Sequence, residues 1–330
     1  MVQPSDSVAD RPSRRPGAGA HDAVSPHHIP LRGWGRIWLR AARHVLGDRL
    51  QVLSAGIAFF ALLSIAPMLV TALSVYGAVN SSAEALDQLS DITGVLPDDL
   101  EPVVADQLAT ITEASTQVLT LRGLTGLLVA LWTATTAATY LVDALTLAYH
   151  ETETRSFWRR GGLGLAVVVG GALLLGATIA VAGVVSRATA DAPPGVRLVE
   201  RLLAWPALAA LAIAALAVLY RFAPDRRPAR WRWISGGAVV TAVLWLLATT
   251  ALFAYVQGLG GYRSTYGSLA GVAISMFWLW LSVFLVIVGA AVNAEAERAT
   301  SRDSTVGPER PLGERGAVVA DSLPPSPAQP

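Results

Sequence analysis

The 330-residue chain contains no cysteine and no lysine, and only 15% of its residues are charged. Without cysteine it cannot form disulfides, thiolate metal sites or a thiol nucleophile. Without lysine it cannot build a conventional phosphate loop, and no GxxxxGK[ST] run occurs, which argues against an ATP-driven motor subunit. Histidine is scarce as well. The five are His21, His27, His28, His44 and His150, and none forms a ligand pair of the HExxH kind. No nucleophile–base pair stands out, so the chain is expected to be no enzyme and to hold no catalytic residue, metal or cofactor. A soluble domain carries roughly 25% charged residues. Here 53% are hydrophobic and mean hydropathy is +0.49, so the surplus apolar surface has to face lipid.

What is present begins with Gln51 to Asn80, which holds no Asp, Glu, Lys, Arg or His. As a helix rising about 1.5 Å per residue, it is long enough to cross a hydrocarbon core of about 30 Å. Pro67 lies inside it, where neighbouring helices, hydroxyl side chains or water must satisfy the freed carbonyl. Five further apolar runs follow, giving six expected spans at about 51–79, 123–142, 163–185, 202–220, 234–256 and 268–292. The fold class is therefore an all-α integral membrane bundle of six transmembrane helices. No internal repeat is visible, and no span carries the regular arginine series of a voltage sensor.

Arginine placement orients the bundle. Alternating the segments between sides puts twenty of the 25 arginines on the side of the N-terminus and five on the other. The excess predicts cytoplasmic N- and C-termini and a bacterial inner membrane location. Residues 1–30 and 299–330, rich in Pro, Ser and Arg, are expected to be disordered cytoplasmic tails. Residues 31–50 set Trp34, Ile37, Trp38, Ala41, Val45 and Leu46 opposite Arg36, Arg40 and Arg43, the pattern of an interfacial helix lying on anionic lipid. Between the first two spans, residues 81–120 carry eight carboxylates and no basic side chain, with apolar residues every three or four positions. Amphipathic extracytoplasmic helices with a solvated acidic face are expected there. Arg221–Trp233 reads as a basic aromatic loop touching anionic lipid, not nucleic acid.

Polar residues at span ends are the candidates for function, because burying them in hydrocarbon is costly. Asp48 and Arg49 precede the first span, Asp143 and Arg155 flank the end of the second, and Asn293 and Glu295 close the sixth. All fall at about one depth on the cytoplasmic side. They either pair between helices and pin the bundle, or line a polar cavity that receives a hydrophilic solute or lipid head group. Gly267, Gly271 and Pro67 are expected at helix contacts, where small residues let backbones approach. Expected partners are membrane lipids, a small solute or lipid substrate and further copies of the chain in a homo-oligomer.

Four segments in order resemble a known family: AGIAFFALLSIAP at Ala55–Pro67, with Asp48 ahead of it, LTLAYHETETRSFWRR at Leu145–Arg160, GYRSTYGSLAG at Gly261–Gly271, and WLWLSVFLVIVGAAVNAEAER at Trp278–Arg298. They are similar to the YihY/BrkB family of bacterial inner-membrane proteins, once labelled ribonuclease BN. The resemblance covers about residues 35–298, with one departure at Thr146, where the family often carries Asn. It implies a six-span protein linked to serum resistance and virulence, with a suggested transport role. The leading functional expectation is translocation of a small polar solute or lipid. A non-enzymatic envelope scaffold using the acidic segment is the alternative, and a membrane hydrolase the third.

Overall fold

A computed structural model describes residues 25–79, 116–190, 192–258 and 268–323. Among these residues lie an amphipathic helix α1 (Leu31–Gly47) and six long helices. The long helices are α2 (Leu50–Val79), α3 (Thr116–Ala148), α4 (Phe157–Ala188), α5 (Pro194–Phe222), α6 (Trp231–Gly258) and α7 (Ser268–Arg298). A short α8 (Val318–Asp321) follows. All six long helices are long and apolar enough to cross a membrane. Most of the acidic segment, residues 80–115, lies outside the described residues.

Several hydroxyls on α2 and α3 bond to the preceding turn of their own helix, as a low-dielectric surrounding favours. Ser54 donates to Leu50 O, Thr133 to Val129 O, Thr139 to Thr135 O and Thr146 to Val142 O. Pro67 sits inside α2, its carbonyl accepting from Thr71 Oγ1 at 2.8 Å. Across from it, a Cβ on Gly126 of α3 would come within 3.1 Å of Pro67 O. The proline therefore lies where α2 and α3 approach closely.

Small residues set the tightest contacts. A Cβ on Gly289 of α7 would fall onto Thr241 Oγ1 and within 2.9 Å of Gly237 O, so α6 and α7 meet backbone to backbone. Tyr220 of α5 joins them, its hydroxyl 2.7 Å from both Thr241 Oγ1 and Val286 O. A side chain at Gly271 would meet nothing within 4 Å among the described residues. Gly267 lies outside the described residues.

The core is unevenly distributed. We call the end that gathers α1, the end of α3, the start of α4, the α5–α6 connection and the end of α7 the basic end. Buried residues crowd there, and the last turns of α7 from Gly289 to Glu297 are almost wholly buried. In α4 the single buried residue is Gly164, close to its start. Residues 193–208 of α5 are exposed or half-exposed wherever described. The helices thus converge at the basic end, and α4 and α5 lose protein contact away from it, while α2 and α3 stay packed together as far as Ser74 and Gly123.

Two expectations change. Helix α1 turns Gly33, Ile37, Ala41 and Val45 onto α7, so its apolar face is a protein contact; Leu39 and Leu46 are left exposed instead. Residues 299–323 are an ordered segment, not a disordered tail. Its backbone pairs with the α5–α6 connection: Arg230 N–H donates to Ser304 O, Val306 N–H to Pro228 O, and Arg227 N–H to Gly316 O. Asp303 accepts from the N–H groups of Thr305 and Arg310, and Asp321 from those of Gly313, Arg315 and Gly316. These carboxylates act as local turn caps, which composition alone does not reveal. At the other terminus, residues 25–30 form a Pro26–His28 turn that buries Ile29 in the core.

Candidate functional site

The basic end holds the charged residues picked out from the sequence, together with partners that the sequence did not indicate. Helix α7 has 31 residues, about 46 Å long, so it outreaches a hydrocarbon layer of about 30 Å. Its last turns can therefore carry charge among other helix ends. Glu295, 1% exposed, is the centre of the largest network. Its Oε2 accepts from Arg40 Nε of α1 at 2.6 Å, and its Oε1 lies 3.0 Å from His150 Nε2 and 3.1 Å from Arg298 Nη1. One carboxylate so ties α1, the end of α3 and α7 together through charge-assisted bonds.

Beside it, the His150 ring stacks on His44 of α1 with centroids 3.8 Å apart. His44 Nδ1 is 2.9 Å from Asp48 Oδ2, and its Nε2 is 3.2 Å from Leu147 O. Burial and the neighbouring His150 together hold His44 below the ordinary histidine pKa. Asp48 and Glu295 are thus joined through two imidazole rings. Arg49 lies on the α1–α2 turn, exposed, with φ of 53°, and makes no ion pair with this network.

The other candidates go elsewhere at the same end. Asp143 of α3 pairs with Arg160 of α4. Arg155 donates to Ala223 O and Pro224 O, both at 2.8 Å, and faces Asp225 Oδ1 at 3.3 Å. Burial opposes ionisation of Asp225, yet the Thr154 N–H and hydroxyl, with Arg155, keep its pKa below the usual carboxylate range. Asn293 is buried against α6, accepting from Gly237 N at 2.6 Å and donating to Ile234 O at 2.9 Å. The six candidates therefore share one end of the molecule but fall into separate pairings, of which only Asp48 and Glu295 belong to one network.

A further pair lies deeper, between the α5–α6 connection and the last turn of α7. Arg226 Nη2 is 2.7 Å from Glu297 Oε2, with side chains 3% and 0% exposed. The guanidinium lies over the Tyr149 ring at 4.8 Å, and Ser304 Oγ donates to the same Glu297 oxygen at 3.0 Å. Burial works against the charge on Arg226, but Glu297 beside it lifts its pKa above the ordinary value. Burial also raises the Tyr149 pKa.

Sequence reasoning missed Arg40, His44, His150, Arg226, Glu297 and Arg298 as members of these networks. A signal existed for two of them: His44 and His150 are the two histidines outside the N-terminal stretch, six residues before the start of α2 and two after the end of α3. No three His, Asp or Glu side chains among the described residues come together as a metal site.

Residues 41–312 match the sequence profile of a family described as virulence factor BrkB. The ribonuclease-like protein YfkH of Bacillus subtilis (strain 168) is 28% identical over 254 residues, covering 74% of this chain and 89% of YfkH. A UPF0761 membrane protein of Verminephrobacter eiseniae (strain EF01-2) is 28% identical over 253 residues, covering 75% of this chain and 58% of the relative. Another, from Pseudomonas aeruginosa (strain LESB58), is 35% identical over 186 residues, covering 52% and 43%. The chain thus spans well under two thirds of these UPF0761 relatives. No solved structure matches.

Proposed function

Because this chain belongs to the virulence factor BrkB family of multi-pass membrane proteins, we propose that it translocates a small polar solute or an amphipathic lipid across the bacterial cytoplasmic membrane. In this reading the basic end faces the cytoplasm, as the arginine excess there favours. The protein does no chemistry on its cargo; it exposes a path between helices alternately to the two sides.

One observation carries the reading. Ion pairs and buried residues are concentrated where the helices converge, while the far halves of α4 and α5 have no buried residue among those described. Such a bundle is held at the basic end by contacts that can be exchanged for water, while the far halves of α4 and α5 lack such contacts among the described residues. Charge-assisted contacts suit that role, because separated ions regain hydration when the seal parts, whereas separated apolar surfaces do not. Two-state contacts of this kind are what alternating access requires. The ribonuclease-like name of YfkH is not carried over: His44 and His150 are engaged at helix ends instead of lining a basic groove of nucleic-acid size.

The test is reconstitution. Purified protein in liposomes is expected to release entrapped polar solutes, or to flip labelled phospholipids, faster than protein-free vesicles and without ATP. No movement above that background across broad panels of both cargo classes would defeat the proposal.

A further inference from the structure

The stacked histidines bear on what drives the seal, and the role assigned to them rests on the translocator reading. His44 faces an acceptor at each ring nitrogen, the Asp48 carboxylate at Nδ1 and the Leu147 carbonyl at Nε2. A neutral imidazole has one N–H, so it can serve only one of the two. The second position is built for a second proton. On the other ring, His150 Nε2 is nearer to Glu295 Oε1, at 3.0 Å, than to Arg298 Nη1, at 3.4 Å, so its N–H donates to the carboxylate. With the rings 3.8 Å apart and 24° from parallel, two positive imidazoliums would repel strongly, and the pair accommodates one added charge.

The charges facing His44 can be counted by element. Helix α1 supplies Arg40 and its C-cap Asp48, the turn after α3 supplies His150, and α7 supplies Glu295 and Arg298. Helix α2 has no charged residue. With both rings neutral, two arginines balance two carboxylates. One proton more leaves the cluster with an uncompensated positive charge between Arg40 and Arg298.

We propose that the His44–His150 pair is a proton-binding site, loaded from the cytoplasm at His44, and that the bound proton releases α1 from the ends of α3 and α7. The site makes the proton the coupling ion of translocation. Linkage gives the direction. In the sealed state burial, followed by His150, lowers the affinity of His44 for a proton; once α1 swings into water the ring regains its ordinary pKa of about 6.5. The open state then binds the proton more tightly, and acid shifts the population toward it. The contribution of neutral His44 to the sealed state is complete above about pH 6.5 and is lost as pH falls through the lower sealed-state value.

The chain's lack of cysteine makes the test direct. Arg43→Cys on α1 and Arg159→Cys on α4 are both exposed positions for a spin-label pair in the full-length protein in nanodiscs. The distance between them is expected to lengthen between about pH 8 and about pH 5. In ¹⁵N-histidine spectra His44 should titrate below its ordinary value, move upward in His150→Gln and move downward in Asp48→Asn. His44→Gln should abolish the change in distance. The inference is overturned if the distance ignores pH, if His44→Gln keeps the response, or if His44 titrates at its ordinary value in all three proteins. Flux measured in the same preparations separates the two claims. A protein that moves cargo without a pH response loses the proton site alone, whereas a pH response without flux removes the translocator reading.

Discussion

Glu295 shows how a single residue near a span end acquires its meaning from distant chain. It is legible in the sequence as a costly charge at the end of an apolar run, but its partner Arg40 lies 255 residues away. No local pattern links them; only the fold brings α1 against α7. Glu295→Gln keeps the shape and removes the charge that Arg40, Arg298 and the His150 N–H share, leaving the two arginines facing each other. Both arginines are partly open to solvent, which moderates the cost. The expected loss is on the order of 2 kcal/mol, read as a lower unfolding temperature in detergent. Arg226 and Glu297 are a harsher case, because both side chains are almost fully buried. Glu297→Ala should cost about 3–5 kcal/mol by stranding the guanidinium, whereas Arg226→Met with Glu297→Leu should recover most of that loss. If the double variant is no more stable than Glu297→Ala, the pair is not what holds this region, and packing around Tyr149 is.

Among the elements, the six long helices can be read from uncharged runs because lipid imposes a length and a composition that few other environments demand. Their contacts cannot. Gly271 and Gly289 look alike in sequence, yet only Gly289 lies where a Cβ would strike Thr241 and the Gly237 backbone. Gly289→Ala should therefore separate α6 from α7 and lower thermal stability markedly. Gly171→Ala in α4, with open space around it, should be neutral or raise stability by up to about 1 kcal/mol through helix propensity. A thermal melt of both variants tests what the close approach contributes. The ordered segment 299–323 has the Pro, Ser and Arg content of a tail, and composition therefore points the wrong way. What folds it is a set of carboxylates bonded to nearby backbone N–H groups. Burial opposes the ionisation of Asp303, but the N–H and hydroxyl of Thr305 and the N–H of Arg310 outweigh it and lower its pKa. Its contribution is therefore present above the unfolded value of about 3.9 and is lost as pH falls through the lower folded value. Protease cleavage within 299–323 should accelerate in that acid window, and Asp303→Asn should be cleaved faster at neutral pH. Equal cleavage rates for the variant and the parent would show that Asp303 does not hold the segment.

The whole molecule is a bundle whose contacts are unequal at its two ends. The number of helices and the side that carries the arginines follow from composition and spacing, and the family membership agrees with the four segments that resemble it. What sequence could not supply was the convergence at the basic end, because burial in a membrane protein depends on which apolar residue meets protein and which meets lipid. That convergence is the centre of the functional account, and locking it is the most direct test. With Arg40→Cys and Glu295→Cys in the otherwise cysteine-free chain, a short bis-methanethiosulfonate reagent should bridge α1 to α7 where the ion pair now stands. Flux of cargo through proteoliposomes is predicted to stop when the bridge forms and to return when it is reduced. Flux that continues unchanged through the cross-linked protein would contradict the account.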